Sequence, residues 1–207
     1  ARQAGKQICN FAASFATPGE GPEFQEWQPT VPAPDVLPPA PDFDDQYAEV
    51  MSYVAGTNAI EFRFEEGIAD RDPSSPGRWQ VWFRVKDELP DDQAIHSAMV
   101  AYASDIFLLE TTLRPHSVGW LDDIDFATID YSMWFHRPFR LEGWNLLSFG
   151  AAMARGGRAL SYGELFTHDR IALASMTQEG MTRFKPGRGE HLHRKVQEHS
   201  QRSTNFD

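Results

Sequence analysis

A long strand-like run overlaps Ala127-Thr128-Ile129-Asp130-Tyr131-Ser132-Met133-Trp134-Phe135-His136-Arg137-Pro138-Phe139. From Phe126 to Phe135 it reads as a β-strand. Strict alternation places Thr128 on one face with Asp130, Ser132 and Trp134, opposite Ala127, Ile129, Tyr131 and Met133. Downstream, Trp144 to Phe149, Ala159 to Phe166 and Ile171 to Met181 also read as strands, with a hairpin turn at Thr167-His168-Asp169-Arg170. Upstream, Ile60, Phe62 and Phe64 alternate with Glu61, Arg63 and Glu65. Trp79, Val81, Phe83 and Val85 alternate with Gln80, Trp82, Arg84 and Lys86. Between these two groups, Pro90-Asp91-Asp92 forms a helix start, with acids at the positive end of the dipole. Ala94 to Tyr102 follows as a helix with Ile95, Met99 and Tyr102 as its buried stripe. The order strand, strand, helix, four strands predicts an α+β fold in which a mostly antiparallel sheet wraps one long helix.

Away from this unit the pattern weakens. Gln7 to Phe15 alternates with Cys9, Phe11, Ala13 and Phe15 on one face, which predicts a strand. Ala4-Gly5-Lys6 before it is turn-like, so Ala1 to Gln3 is expected to end a preceding strand. Thr17 to Asp42 is rich in Pro, Gly and acids, a composition that disfavours helix and reads as an extended linker between two units. Asp44 to Tyr53 reads as a short helix and Asp72 to Gly77 as a loop. From Phe184 the chain is polar, basic and His-containing, a solvated tail.

Charge narrows the function. The 207 residues carry a formal net charge of −11. That argues against nucleic acid as a partner, because phosphate binding needs clustered Lys and Arg. It also argues against a polybasic membrane patch, and no apolar run reaches membrane-spanning length. The single cysteine, Cys9, permits no intrachain disulfide, fits a reducing compartment and is expected to be buried as a small apolar residue.

Four stretches in this order and spacing carry a resemblance: Gln80-Val81-Trp82-Phe83-Arg84, Ala101-Tyr102-Ala103-Ser104-Asp105, the Ala127 to Phe139 segment, and Ala174-Ser175-Met176-Thr177-Gln178-Glu179-Gly180-Met181-Thr182-Arg183. Together they resemble the C-terminal half of acyl-CoA thioesterase II, a double-hotdog enzyme. The resemblance implies the hotdog fold, an antiparallel sheet wrapped around a long central helix. It divides the chain into a remnant of a first hotdog (1–16), a proline-rich linker (17–43), a complete C-terminal hotdog (44–184) and a polar tail (185–207). It further implies hydrolysis of fatty acyl-CoA to free fatty acid and CoA, with no metal or redox cofactor. A homo-oligomer is expected, because a lone hotdog leaves sheet surface and strand edges uncovered. The implied location is intracellular. The terminal Asn205-Phe206-Asp207 is not a peroxisomal address, which leaves cytoplasm and peroxisome both open. Two positions depart from the family's habit: Tyr131 stands where His is common, and Ala159 where Gly is common, a strain if that residue needs a positive φ.

By motif match the family's Asp/Thr/Gln triad falls on Asp105, Thr128 and Gln178. Those residue types suit the chemistry. A carboxylate accepts a proton from water, a hydroxyl donates or accepts, and an amide carries a donor and an acceptor on one plane. Each also has a plainer reading: Asp105 as the N-cap of a second helix running to Leu113, Thr128 and Gln178 as exposed strand residues. His136 would be the base if the same fold ran dehydration or hydration, and a packed, hydrogen-bonded histidine otherwise. Glu190, His191 and His193 suggest a metal pair that no recognised spacing completes. Glu179 either pairs with Arg183 or leaves Arg183 for CoA phosphates. A non-catalytic hotdog module that binds acyl-CoA or a partner chain is the alternative to the enzyme.

Overall fold

The computed structural model describes residues 1–17, 19–25, 29–37, 59–65, 77–116 and 123–187. The helix expected at Asp44 to Tyr53, most of the loop at Asp72 to Gly77 and nearly all of the tail after Phe184 lie outside the described residues.

Alternation builds most of the fold. In β3 (Ile60–Phe64), Ile60, Phe62 and Phe64 are buried while Glu61 and Arg63 are half-buried, the pattern of a strand with one face on a core. The remaining strands of the sheet are β4 (Arg78–Val85), β5 (Ile124–Phe135), β6 (Asn145–Arg155), β7 (Arg158–Thr167) and β8 (Ala172–Phe184). They form one six-stranded antiparallel sheet in the order β3-β4-β6-β7-β8-β5. The β6–β7 hairpin turns on Gly156 and Gly157, both at positive φ, 64° and 75°. Ala159 is an ordinary residue of β7, 1% exposed, so the expected strain does not arise there.

The helix α1 (Gln93–Asp105) starts where the acids place it: the Asp92 side chain caps it by accepting from the Ala94 N–H at 2.9 Å. Its buried face differs from the expected stripe. His96, Val100, Ala103 and Ser104 are buried, whereas Ile95 and Met99 are only partly covered and Tyr102 is 42% exposed. Val100 and Ala103 on this face join the main core cluster, and Met99 and Ile106 pack against its edge. Past α1, Phe107 sits edge-on to Phe62, Phe64 and Trp79 with centroids 5.1–5.4 Å away. This aromatic group anchors the core between the helix and the β3–β4 end of the sheet. The loop after β5 is pinned to the start of α1, with the Phe139 N–H donating to Gln93 Oε1 and the Leu141 N–H to His96 Nδ1.

At the N-terminus, β1 (Arg2–Gln3) and β2 (Lys6–Gln7) form the expected hairpin, turning through Ala4 and Gly5 at positive φ. The strand expected from Gln7 to Phe15 is not found: β2 ends at Gln7, and residues 8–17 are exposed. Alternation marks a segment able to form a strand but supplies no neighbour to pair with. Cys9 is correspondingly exposed, not buried. Several residues of the Pro-rich stretch lie on the outer sheet face. Val31 and Leu37 pack on the cluster of Trp82, Leu146 and Phe166, and Trp82 Nε1 donates to Pro32 O at 3.0 Å. The Gln25 side chain donates to Arg170 O and accepts from the Ala172 N–H. Among the described residues no helix is long and apolar enough to cross a membrane.

Candidate active site

Asp105 is the final residue of α1, not the cap of a new helix; the chain leaves it through a turn into a 3-10 helix at Leu109–Thr112. Gln178 lies in β8 and is 1% exposed, which overturns its reading as a surface residue. Thr128 lies on β5, the neighbour of β8. Simple alternation misplaces Thr128. The β5–β8 register shifts between Thr128 and Asp130, so that Thr128 pairs with Gly180, Asp130 with Glu179 and Tyr131 with Gln178. This bulge at Ile129 absorbs one residue and puts Thr128 and Tyr131, three apart, on the same face as Gln178. Asp130, Ser132 and Trp134 face the other way.

The three expected residues meet. Gln178 Nε2 donates to Asp105 Oδ1 at 2.5 Å and to Thr128 Oγ1 at 2.9 Å, and Thr128 Oγ1 donates to Asp105 Oδ1 at 3.4 Å. An ionised carboxylate only accepts, so the amide nitrogen of Gln178 must face it. Both of its hydrogens are then committed, and its buried Oε1 has no partner among the described residues. Gly180 makes the close packing possible: a Cβ there would lie 1.9 Å from Leu109 Cδ2.

These bonds polarise one oxygen, Oδ1, and none of them reaches Oδ2. Burial raises the Asp105 carboxyl above its ordinary 3.8, while the Thr128 and Gln178 hydrogen bonds pull it down. By accessible area Asp105 is exposed. The two facts are compatible because the carboxyl lies against the packed sheet on one side and opens to solvent on the other. A carboxylate with a raised pKa is a better base.

The other candidates fall elsewhere. His136 is exposed and its Nε2 bonds Ser175 Oγ at 2.8 Å; Ser175 alternates with Gln178 and so lies on the opposite face of β8. Burial lowers the His136 pKa, with Arg137 adding to the effect. Glu179 pairs with Arg158, at 3.1 Å, and not with Arg183, a partner that only the β7–β8 register reveals. Glu190, His191 and His193 lie outside the described residues. Nothing in the sequence pattern singles out Ser104, and Tyr131 reads there only as a departure from the family's histidine, yet their hydroxyls meet at 2.5 Å beside Asp105. Strand alternation carries no signal for that contact, because the bulge creates it.

Comparison with known proteins adds an independent line. The family model for acyl-CoA thioesterase matches residues 59–181. The chain is 35% identical over 192 residues to acyl-CoA thioesterase 2 of Haemophilus influenzae, covering 86% of this chain and 64% of that protein. It is 32% identical over 201 residues to human acyl-coenzyme A thioesterase 8, covering 89% of this chain and 62% of that one. The chain thus spans less than two thirds of the length of these relatives. Among solved structures, an acyl-CoA thioesterase II from Mycobacterium marinum superposes with a TM-score of 0.66 at 31% identity, over 83% of this chain and 61% of that one. A hot dog protein from Alicyclobacillus acidocaldarius superposes at 0.62 with 18% identity, a likeness of fold alone.

Proposed function

The chain belongs to the acyl-CoA thioesterase family, and from that premise we propose that it hydrolyses fatty acyl-CoA to free fatty acid and CoA with a water molecule held by Asp105, Thr128 and Gln178. The observation that carries this reading is the convergence of Thr128 and Gln178, from two strands, on one carboxylate oxygen of Asp105 at the end of the helix. Gln178 and Thr128 hold Asp105 Oδ1, so Oδ2 accepts a proton from water. The water oxygen attacks the thioester carbonyl. A tetrahedral intermediate forms, the C–S bond breaks, and the proton taken by Asp105 passes to the departing CoA sulfur. Raising the carboxyl's pKa favours the proton-accepting step, because a stronger base takes the water proton earlier.

The reading includes a second copy of the chain. The 12-residue β5 is a sheet edge, and Ile129, Trp134 and Phe135 on it are 56%, 54% and 45% exposed. An uncovered edge with apolar side chains favours pairing with another strand. Pairing there would also wall off the open side of Asp105. Sedimentation of the purified chain should give a species of at least twice the monomer mass; a monomer at every concentration would remove the second copy from the account.

The enzyme claim is tested by free-thiol release from a panel of acyl-CoAs. The wild type should release CoA, and Asp105→Asn should reduce the rate by about 10³-fold or more. A folded wild type without release would return the chain to the class of non-catalytic hotdog modules, and an Asp105→Asn variant that keeps its rate would remove Asp105 from the chemistry.

A further inference from the structure

Three residues can meet around a water only if the end of a helix is held at a fixed distance from a strand. Asp105 ends α1; Ile106 after it keeps helical φ and ψ, and the Leu108 N–H of the following turn donates to Ser104 O at 3.2 Å. Helix ends are where backbone groups lose their partners and freedom enters. Ser104, its chain neighbour, is fully buried. The Ser104 hydroxyl has one hydrogen, and Val100 O takes it at 2.6 Å. In the 2.5 Å contact between Ser104 Oγ and Tyr131 Oη, the tyrosine is therefore the donor. Burial, in the first place, pushes the Tyr131 hydroxyl up to about 12, with the charge on Asp105 acting in the same direction, so the proton is present throughout the working range. Tyr131 lies directly opposite Gln178 in the β5–β8 register and, because of the bulge, on the same face as Thr128.

We infer that Tyr131 is a positioning residue for this reaction: its hydrogen bond to Ser104 clamps the end of α1 to β5 and so sets where Asp105 stands relative to Thr128 and Gln178. The inference rests on the reading of those three residues as the site of water attack. Tyr131 acts through Ser104 and the backbone of Asp105, not on the substrate. Its effect is on the geometry of the attacking water, and a misplacement of about 1 Å is enough to cost on the order of 10²-fold in rate.

The test uses the whole chain. Tyr131→Phe removes the hydroxyl, keeps the ring and leaves Ser104 bonded to Val100 O. The expected result is a fall in kcat of about tenfold with KM within about twofold. Ser104→Ala, which also removes the bond to Val100 O within the helix, should show at least that loss, and the double variant Tyr131→Phe/Ser104→Ala should lose no more than Ser104→Ala alone, because both remove the same Tyr131–Ser104 bond. If one single variant fails to fold, the other carries the same prediction. An unchanged kcat in Tyr131→Phe overturns the inference. So does a rise in KM alone, which would make Tyr131 a substrate contact, or losses that multiply in the double variant. Asp105→Asn, assayed alongside, separates the two levels. If it is silent while Tyr131→Phe is fully active, only the clamp is wrong. If it retains turnover, the site reading falls and the clamp falls with it.

Discussion

The two ends of the same sheet are built to different rules. At the β3–β4 end, Phe62, Phe64 and Trp79 surround Phe107, and Val31 and Leu37 of the Pro-rich stretch cover the back of the sheet. At the β5–β8 end the inner face carries Thr128, Tyr131 and Gln178, with Asp105 open to solvent, and no described strand lies beyond β5. One end buries apolar area, which drives folding in proportion to the area removed from water. The other holds a carboxylate whose charged form burial disfavours, a cost to stability. The apolar end supplies the stability that the polar end draws on.

The sharpest way to break this division is at its apolar pole. Phe107→Ala should cost about 3–5 kcal/mol of stability, read by denaturant unfolding, because it empties the centre of the aromatic group. The part that remains folded should hydrolyse at the wild-type rate; a loss of specific rate in the folded fraction would mean that the two ends are coupled. Gln178→Ala makes the converse test. It removes both donors to the Asp105–Thr128 pair and should lower kcat by about 10²-fold, while a loss of activity explained by unfolding alone would put Gln178 in the structural half.

A smaller effect has a definite sign. Because Asp105 is raised in the folded state, the folded protein binds its proton more tightly than the unfolded chain does. Ionising Asp105 therefore costs stability, a cost absent at low pH that appears as pH rises through the ordinary carboxylate value to the folded one. Asp105→Asn should accordingly be inactive yet slightly more heat-stable than wild type at pH 7, by less than about 2 °C given how open the site is. A lower melting point would contradict the direction of the shift. Activity should likewise fall on the acid side at a pH above the ordinary value of 3.8. The smallest effect is expected at His136. His136→Ala should leave turnover within about twofold, since its Ser175 contact is on the opposite sheet face; a large loss would revive the histidine-base reading.

The sequence was most legible where one physical rule acts alone. Alternation located β3 and β4 to within a residue because one face is buried against the core. Asp92 marked the helix start because capping is local. Legibility failed where neighbours decide. The helix turns His96, Val100, Ala103 and Ser104 inward, a face that the apolar stripe of Ile95, Met99 and Tyr102 does not mark. The alternating run from Gln7 to Phe15 stays exposed. The triad came from resemblance to a family, whereas alternation alone set Thr128 beside Asp130; only the bulge, a feature of pairing between two strands, turns it toward Gln178.

At the centre of the proposed mechanism is the claim that Asp105 acts on water and forms no bond to the acyl group. A single turnover of acyl-CoA by excess protein in ¹⁸O-labelled water tests it directly, with mass analysis of both the fatty acid and the peptide bearing Asp105. General-base attack by water puts one ¹⁸O in the fatty acid and none in Asp105. An unlabelled fatty acid together with ¹⁸O in the Asp105 carboxyl would show an acyl-enzyme anhydride, and would contradict the mechanism.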